Sequence, residues 1–112
     1  MYYFIDITDC RGVFDLNIEY KTKKLERICG DYEYAKGVHG VNMAKLIHQR
    51  KSEITAAESI DLLVQFRIGR CHALQGDRKG EFALDLEQPY RLIIRKGDSE
   101  STCVIKSIED YH

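Results

Sequence analysis

The chain has 112 residues, of which 44% are hydrophobic and 31% charged, with one proline and a net charge of -1, a profile that suits one compact domain and excludes a disordered or fibrous chain. No apolar run approaches the roughly 20 residues of a membrane helix, and the N-terminus lacks the basic-then-apolar order of a signal peptide, so a cytoplasmic address is expected. Cys10, Cys29, Cys71 and Cys103 stand 19 or more residues apart, and His39, His48, His72 and His112 pair closely with neither them nor one another. That argues against a metal site and leaves the thiols reduced and structural.

Near-neutrality hides a segregation of charge. Residues 20–51 sum to +5 and residues 67–97 to +3, whereas the three remaining stretches sum to -3 each. Two basic segments can share one face, although most such lysines are solvated surface.

In chain order, residues 1–16 form an extension in which Tyr2 to Ile7 has strand composition; it adds an edge strand or stays poorly ordered. A helix follows from Thr22, a candidate N-cap, with Leu25, Ile28 and Cys29 as its apolar stripe and Gly30 as its stop. Asp31 can cap a second helix. Met43, Leu46, Ile47, Ile54, Ala57 and Ile60 recur there at near-helical spacing, firmest from Val41 to Ala57, with Gly37 and Gly40 expected to break or bend its first turns. After a linker around Arg67 to Arg70 the period changes to two. Phe82, Leu84 and Leu86 alternate with polar positions; Gln88-Pro89 turns the chain; Tyr90, Leu92 and Ile94 alternate again; and a loop of residues 96–101 leads into a last strand from Thr102 to about Glu109. The expected fold is α+β, with N-terminal helices packed on one face of a small antiparallel sheet and the other face open.

Three segments carry reactive groups. His72 to Gly80 contains two glycines around a charged run and reads either as a surface turn or as part of a site. Arg91 alternates with Tyr90 and Leu92, so it faces solvent or a concave site. Asp110, Tyr111 and His112 put an acid, a phenol and an imidazole on an end that would ordinarily fray.

Together these segments resemble the HigB branch of the RelE toxin superfamily. The resemblance rests on His72, Leu74, Gly76-Asp77-Arg78-Lys79-Gly80 and Phe82, on Pro89-Tyr90-Arg91-Leu92, and on the closing Asp110-Tyr111-His112, in that order. Tyr20 to Cys29 and Leu46 to Ser59 add to it. It covers about Asn17 to His112, so the toxin-like domain is expected at 17–112.

The resemblance implies the toxin of a type II toxin-antitoxin system, a ribosome-dependent endoribonuclease that cuts messenger RNA by acid-base chemistry without a metal or cofactor. A HigA-like helix-turn-helix antitoxin would silence it. His72 and His112 are the acid and base candidates, with Asp110 orienting an imidazole or acting as base. Arg91 suits the charge that builds on the phosphate, and Tyr111 suits a base or the phosphate. Arg78, Lys79 and Arg95 are expected to contact the RNA backbone. The folded strands are expected to bring the tail beside Arg91 and the His72 loop. Gln75 departs from the family, where many members have lysine, and residues 1–16 match nothing in it. Two other readings are a ParE-like toxin that binds DNA gyrase and cuts no RNA, and an inactive member.

Overall fold

A computed structural model describes residues 16–99 and 101–110; the expected strand Tyr2 to Ile7, Cys10, Tyr111 and His112 lie outside them. The chain runs β1 (Asn17–Tyr20), α1 (Lys23–Gly30), α2 (Tyr32–His39), α3 (Val41–Ala56), α4 (Ile60–Gln65), β2 (His72–Ala73), β3 (Glu81–Asp85), β4 (Tyr90–Lys96) and β5 (Thr102–Asp110). Short 3-10 turns at Ile68–Arg70 and Gly76–Arg78 flank β2.

Local chemistry sets the helix ends. Thr22 Oγ1 accepts from the Leu25 amide at 3.1 Å and Asp31 Oδ1 from the Tyr34 amide at 3.2 Å, so both expected caps form. The expected break falls at Gly40, whose φ of 90° and ψ of 167° end α2 and start α3. Gly37 stays helical.

Ile60, read as a continuation of the long helix, instead begins a separate one. Ala57 is extended, Ser59 Oγ caps α4 by accepting from the Leu62 amide at 3.2 Å, and Ile60 and Leu63 turn into the core. Six residues cannot sustain a helix alone, so α4 depends on this burial. Leu63→Ala, at a fully buried position, is expected to lower unfolding stability by about 2–5 kcal/mol. In urea the midpoint should fall with an unchanged slope.

The sheet order is β1-β5-β4-β3-β2. β3, β4 and β5 form the expected antiparallel meander, β2 adds two residues at one edge, and β1 pairs parallel with β5 at the other. Leu84, Leu92, Ile94, Cys103 and Ile105 line the face that meets Ile28, Met43, Ile47, Ile54 and Leu63 of the helices. Burial pushes the thiols of Cys71 and Cys103 up to about 12 and that of Cys29 to about 11, which makes them structural groups and poor nucleophiles.

The other face has its own small apolar cluster, Leu74, Ala83 and Ile93. Ile93 pairs with Ser107 but Ile94 with Ile105. Lys106 is therefore the extra residue of a β-bulge, and it joins Ser107 on this second face.

Candidate active site

Strand alternation puts Glu81, Ala83 and Asp85 of β3, and Arg91, Ile93 and Arg95 of β4, on the face away from the helices. Register adds cross-strand partners. Arg91 stands between Asp85 and Glu109, and Ile93 between Ala83 and Ser107; His72 lies opposite Ala83. One face of the sheet thus collects His72, Asp85, Arg91, Ser107 and Glu109.

Two ion networks organise this face. In the first, Asp85 holds two arginines, with Arg91 Nε 3.1 Å from Oδ1 and Arg70 Nε 3.3 Å from Oδ2. The Arg91 side chain is only 21% exposed, so its charge acts where water screens it weakly. Asp85 is itself fixed from behind. Arg50 of α3 donates from Nε to the Asp85 carbonyl at 2.7 Å and pairs with Glu53 at 2.9 Å. Arg50 occupies a position of the stripe of Met43, Ile47 and Ile54, so the sequence spacing held a signal of its inward aim.

In the second network Arg78 donates to Glu109 through both terminal nitrogens, at 2.6 and 2.8 Å, and from Nε to Glu81 at 2.9 Å. Lys106 Nζ closes on the second Glu81 oxygen, and Ser107 Oγ donates to Glu109 at 2.6 Å. Charge-assisted, bidentate pairing is the strong form of this contact. The Arg78 fork is therefore committed to carboxylates within the protein.

Hydrogen bonding to Arg78 holds the Glu109 carboxyl down at about 2, and the Lys106 contact lowers that of Glu81. Both carboxylates are thus poor proton acceptors near neutral pH and serve as anchors. The linkage has a definite sign: a carboxyl depressed in the fold stabilises it above the unfolded value, about 4.3, and that contribution disappears as pH falls toward the folded value. Glu109 is expected to titrate near pH 2 by carboxylate NMR. Arg78→Gln should return it to the ordinary range, and an unchanged titration would show that the pair does not form in solution.

The remaining expected site residues take different places. His72 is exposed, with Nδ1 3.0 Å from the Arg70 carbonyl. Lys79 and Arg95 are exposed, Arg95 with one Nη1 bond to the Lys96 carbonyl at 3.2 Å. Asp110 pairs with Tyr90, one position along from Arg91. Ile108 packs on the main core, so Asp110 falls on the alternation of the helix side while Glu109 takes the Arg91 side. Sequence reading missed Glu81, Asp85, Glu109 and Arg50. The polar positions of Glu81, Asp85 and Glu109 in β3 and β5 were visible, but their partners depend on register. Among the described residues no group of three or more His, Cys, Asp or Glu is arranged to hold a metal ion, and no helix is long and apolar enough to cross a membrane.

The turn beside His72 is unusual. Arg67 and Arg70 have φ of 54° and 57° and are the described non-glycine residues with positive φ, a conformation that costs an L residue about 1–2 kcal/mol. Gly69 between them has φ of 59°, and a Cβ there would stand 2.7 Å from Arg50 Nε.

No sequence-family model matches the chain, and no curated protein matches it. Solved structures do. A YoeB-YefM complex from Staphylococcus aureus matches over 87% of this chain and 97% of that one, with a TM-score of 0.56 and 22% identity. A heterotetrameric YoeB-YefM toxin-antitoxin complex from the same organism gives a TM-score of 0.50 at 20% identity, over 87% and 97% of the two chains. For a YoeB/ParE toxin from Agrobacterium tumefaciens the TM-score is 0.57 at 13% identity, over 87% and 100%. At these identities the likeness is one of architecture: the chain has the α+β fold of YoeB- and ParE-type toxins, as the RelE-superfamily resemblance implied.

Proposed function

We propose that this protein is the toxin of a type II toxin-antitoxin system and a HigB-like endoribonuclease that cuts messenger RNA on the ribosome. The observation that supports the reading most is Arg91, 21% exposed and ion-paired with Asp85, on the sheet face that also carries His72. A fixed cation and an acid-base cluster are what RNA self-cleavage needs. The 2'-oxygen loses its proton to a base and attacks the adjacent phosphorus, the bond from phosphorus to the 5'-oxygen breaks, and an acid protonates that oxygen. His72 and His112 supply base and acid, with Asp110 as the orienting carboxylate or base. Arg91 stabilises the charge on the non-bridging oxygens, held in aim by Asp85. Tyr111 stacks on a base or binds the phosphate.

Among the cations, Lys79 and Arg95 are the backbone contacts. For Arg78 the resemblance implies the same role; its bonds to Glu109 and Glu81 make it a positioning residue that ties the 76–80 turn to β5. The partner that silences the protein is a HigA-like helix-turn-helix antitoxin, in keeping with the resemblance; solved neighbours are complexes of toxins with YefM. The protein works in the cytoplasm, where ribosomes are.

Induction of the wild type in cells, followed by mapping of transcript ends, tests the reading. Cuts confined to translated messages are expected. Intact transcripts with arrested DNA replication would favour gyrase binding, the property of the ParE branch.

A further inference from the structure

We infer that the turn from Phe66 to Arg70 is a nucleotide platform, on which Phe66 stacks an unpaired base while Arg67 and Arg70 hold the flanking phosphates. The inference rests on the RNA-cleaving reading and extends it to the substrate contact beyond the scissile bond. It begins from exposure. Phe66 caps α4 and is 66% exposed, the most exposed large hydrophobic residue among those described.

A single exposed ring is ordinary on a protein surface; what sets this one apart is its surroundings. From Leu62 to Gly76 the sequence has Arg67, Arg70 and His72 and no acidic residue. A protein partner is usually met by a contiguous apolar patch; here two of the four residues that follow the ring, Arg67 and Arg70, are cations, the second of them paired with Asp85 through Nε. A lone ring flanked by arginines matches a base with its phosphates, since stacking tolerates any base and arginine binds phosphate through a planar fork.

The turn is also built to hold still. The amides of Phe66, Arg67, Arg70 and Cys71 donate to the carbonyls of Leu62, Val64, Arg67 and Ile68 at 2.9 to 3.1 Å. Gly69 lies against the Arg50 side chain. Two arginines occupy left-handed positions that glycine would fill without strain, so the turn keeps these side chains at a conformational cost. Such outliers, when the surroundings over-determine them, mark functional segments. The platform is coupled to the centre too, because Asp85 bridges Arg70 and Arg91 and the Arg70 carbonyl contacts His72. RNA bound at the turn would lead toward Arg91.

The chain has no tryptophan and seven tyrosines, so Phe66→Trp installs one tryptophan that can be excited selectively at the red edge of the absorption band. Its emission should be quenched by a short single-stranded RNA carrying 2'-O-methyl groups, which cannot be cut. Arg67→Ala with Arg70→Ala in that background should flatten the plot of log affinity against log salt by about 1.4. Absence of saturable quenching overturns the platform. This arm stands even if the wild type cuts no message, a result that would refute the nuclease reading alone.

With programmed ribosomes, Phe66→Ala should raise the concentration for half-maximal cleavage by about tenfold or more, from the loss of one stacked base, and leave the saturating single-turnover rate nearly intact. Phe66→Tyr should behave as wild type and Phe66→Leu as the alanine variant. A leucine variant equal to wild type would reduce the contact to general apolarity and overturn the proposal. Weakened antitoxin binding with unchanged cleavage would overturn it in favour of a protein contact.

Discussion

Replacing Arg91 by alanine is expected to slow ribosome-dependent cleavage by about 10²- to 10³-fold, the loss that follows removal of one preorganised donor to a developing anion. The effect is electrostatic. The guanidinium sits on a sheet face with 21% of its side chain exposed, and Asp85 fixes its Nε side at 3.1 Å. Little reorganisation is then needed as charge grows on the phosphate. Arg91→Lys keeps the charge but loses the fork, so its rate should fall between those of alanine and wild type. Asp85 retains Arg70 in either variant, so the melting temperature should change little. A rate loss matched by a large fall in melting temperature would assign Arg91 to the fold instead of the chemistry.

His112→Ala carries the second large expectation, a loss of about 10²- to 10⁴-fold in single-turnover rate, the usual worth of a positioned general acid or base. The pH profile separates the two assignments. If His112 is the base, the wild-type rate rises with pH through its ionisation and the variant loses that rise; if it is the acid, the variant loses the fall on the alkaline side. His72→Ala should remove the opposite limb. Retention of both limbs in both variants would mean that neither imidazole moves a proton. Glu81 and Glu109 make poor substitutes, because their cation partners hold them ionised near neutral pH.

Much of the fold was legible because it is local. Period-two alternation located β3 and β4, the hydroxyl of Thr22 and the carboxylate of Asp31 marked helix starts, and Gly40 marked the junction between α2 and α3. What failed to show was set by distant partners. α4 is six residues held by the burial of Ile60 and Leu63, and its apolar spacing could not be told from the tail of α3. The parallel pairing of β1 with β5 joins segments about 85 residues apart in the chain, which no local pattern encodes.

The site divided along the same line. His72, Arg91 and the terminal residues stood out through a resemblance, with their residue types chemically apt. Their companions Asp85, Glu81 and Glu109 read as ordinary polar strand positions until register paired them with cations. Arg78 shows the converse: a surface arginine in a Gly-flanked turn looks like a phosphate ligand, and only the bulge at Lys106 and the length of β5 bring Glu109 into its fork. Asp110 and Glu109 differ by one residue and therefore by one face, a distinction that rests on where the bulge falls.

The central claim is cleavage of ribosome-bound message, and one measurement addresses it most directly. Purified protein is mixed with ribosomes carrying a defined, end-labelled messenger RNA, and the products are compared with those from the same RNA free in solution and from Arg91→Ala. A discrete cut is expected in the ribosome-bound RNA, none in free RNA, and loss of the cut in the variant. An intact message under conditions where the same protein inhibits supercoiling by DNA gyrase would contradict it.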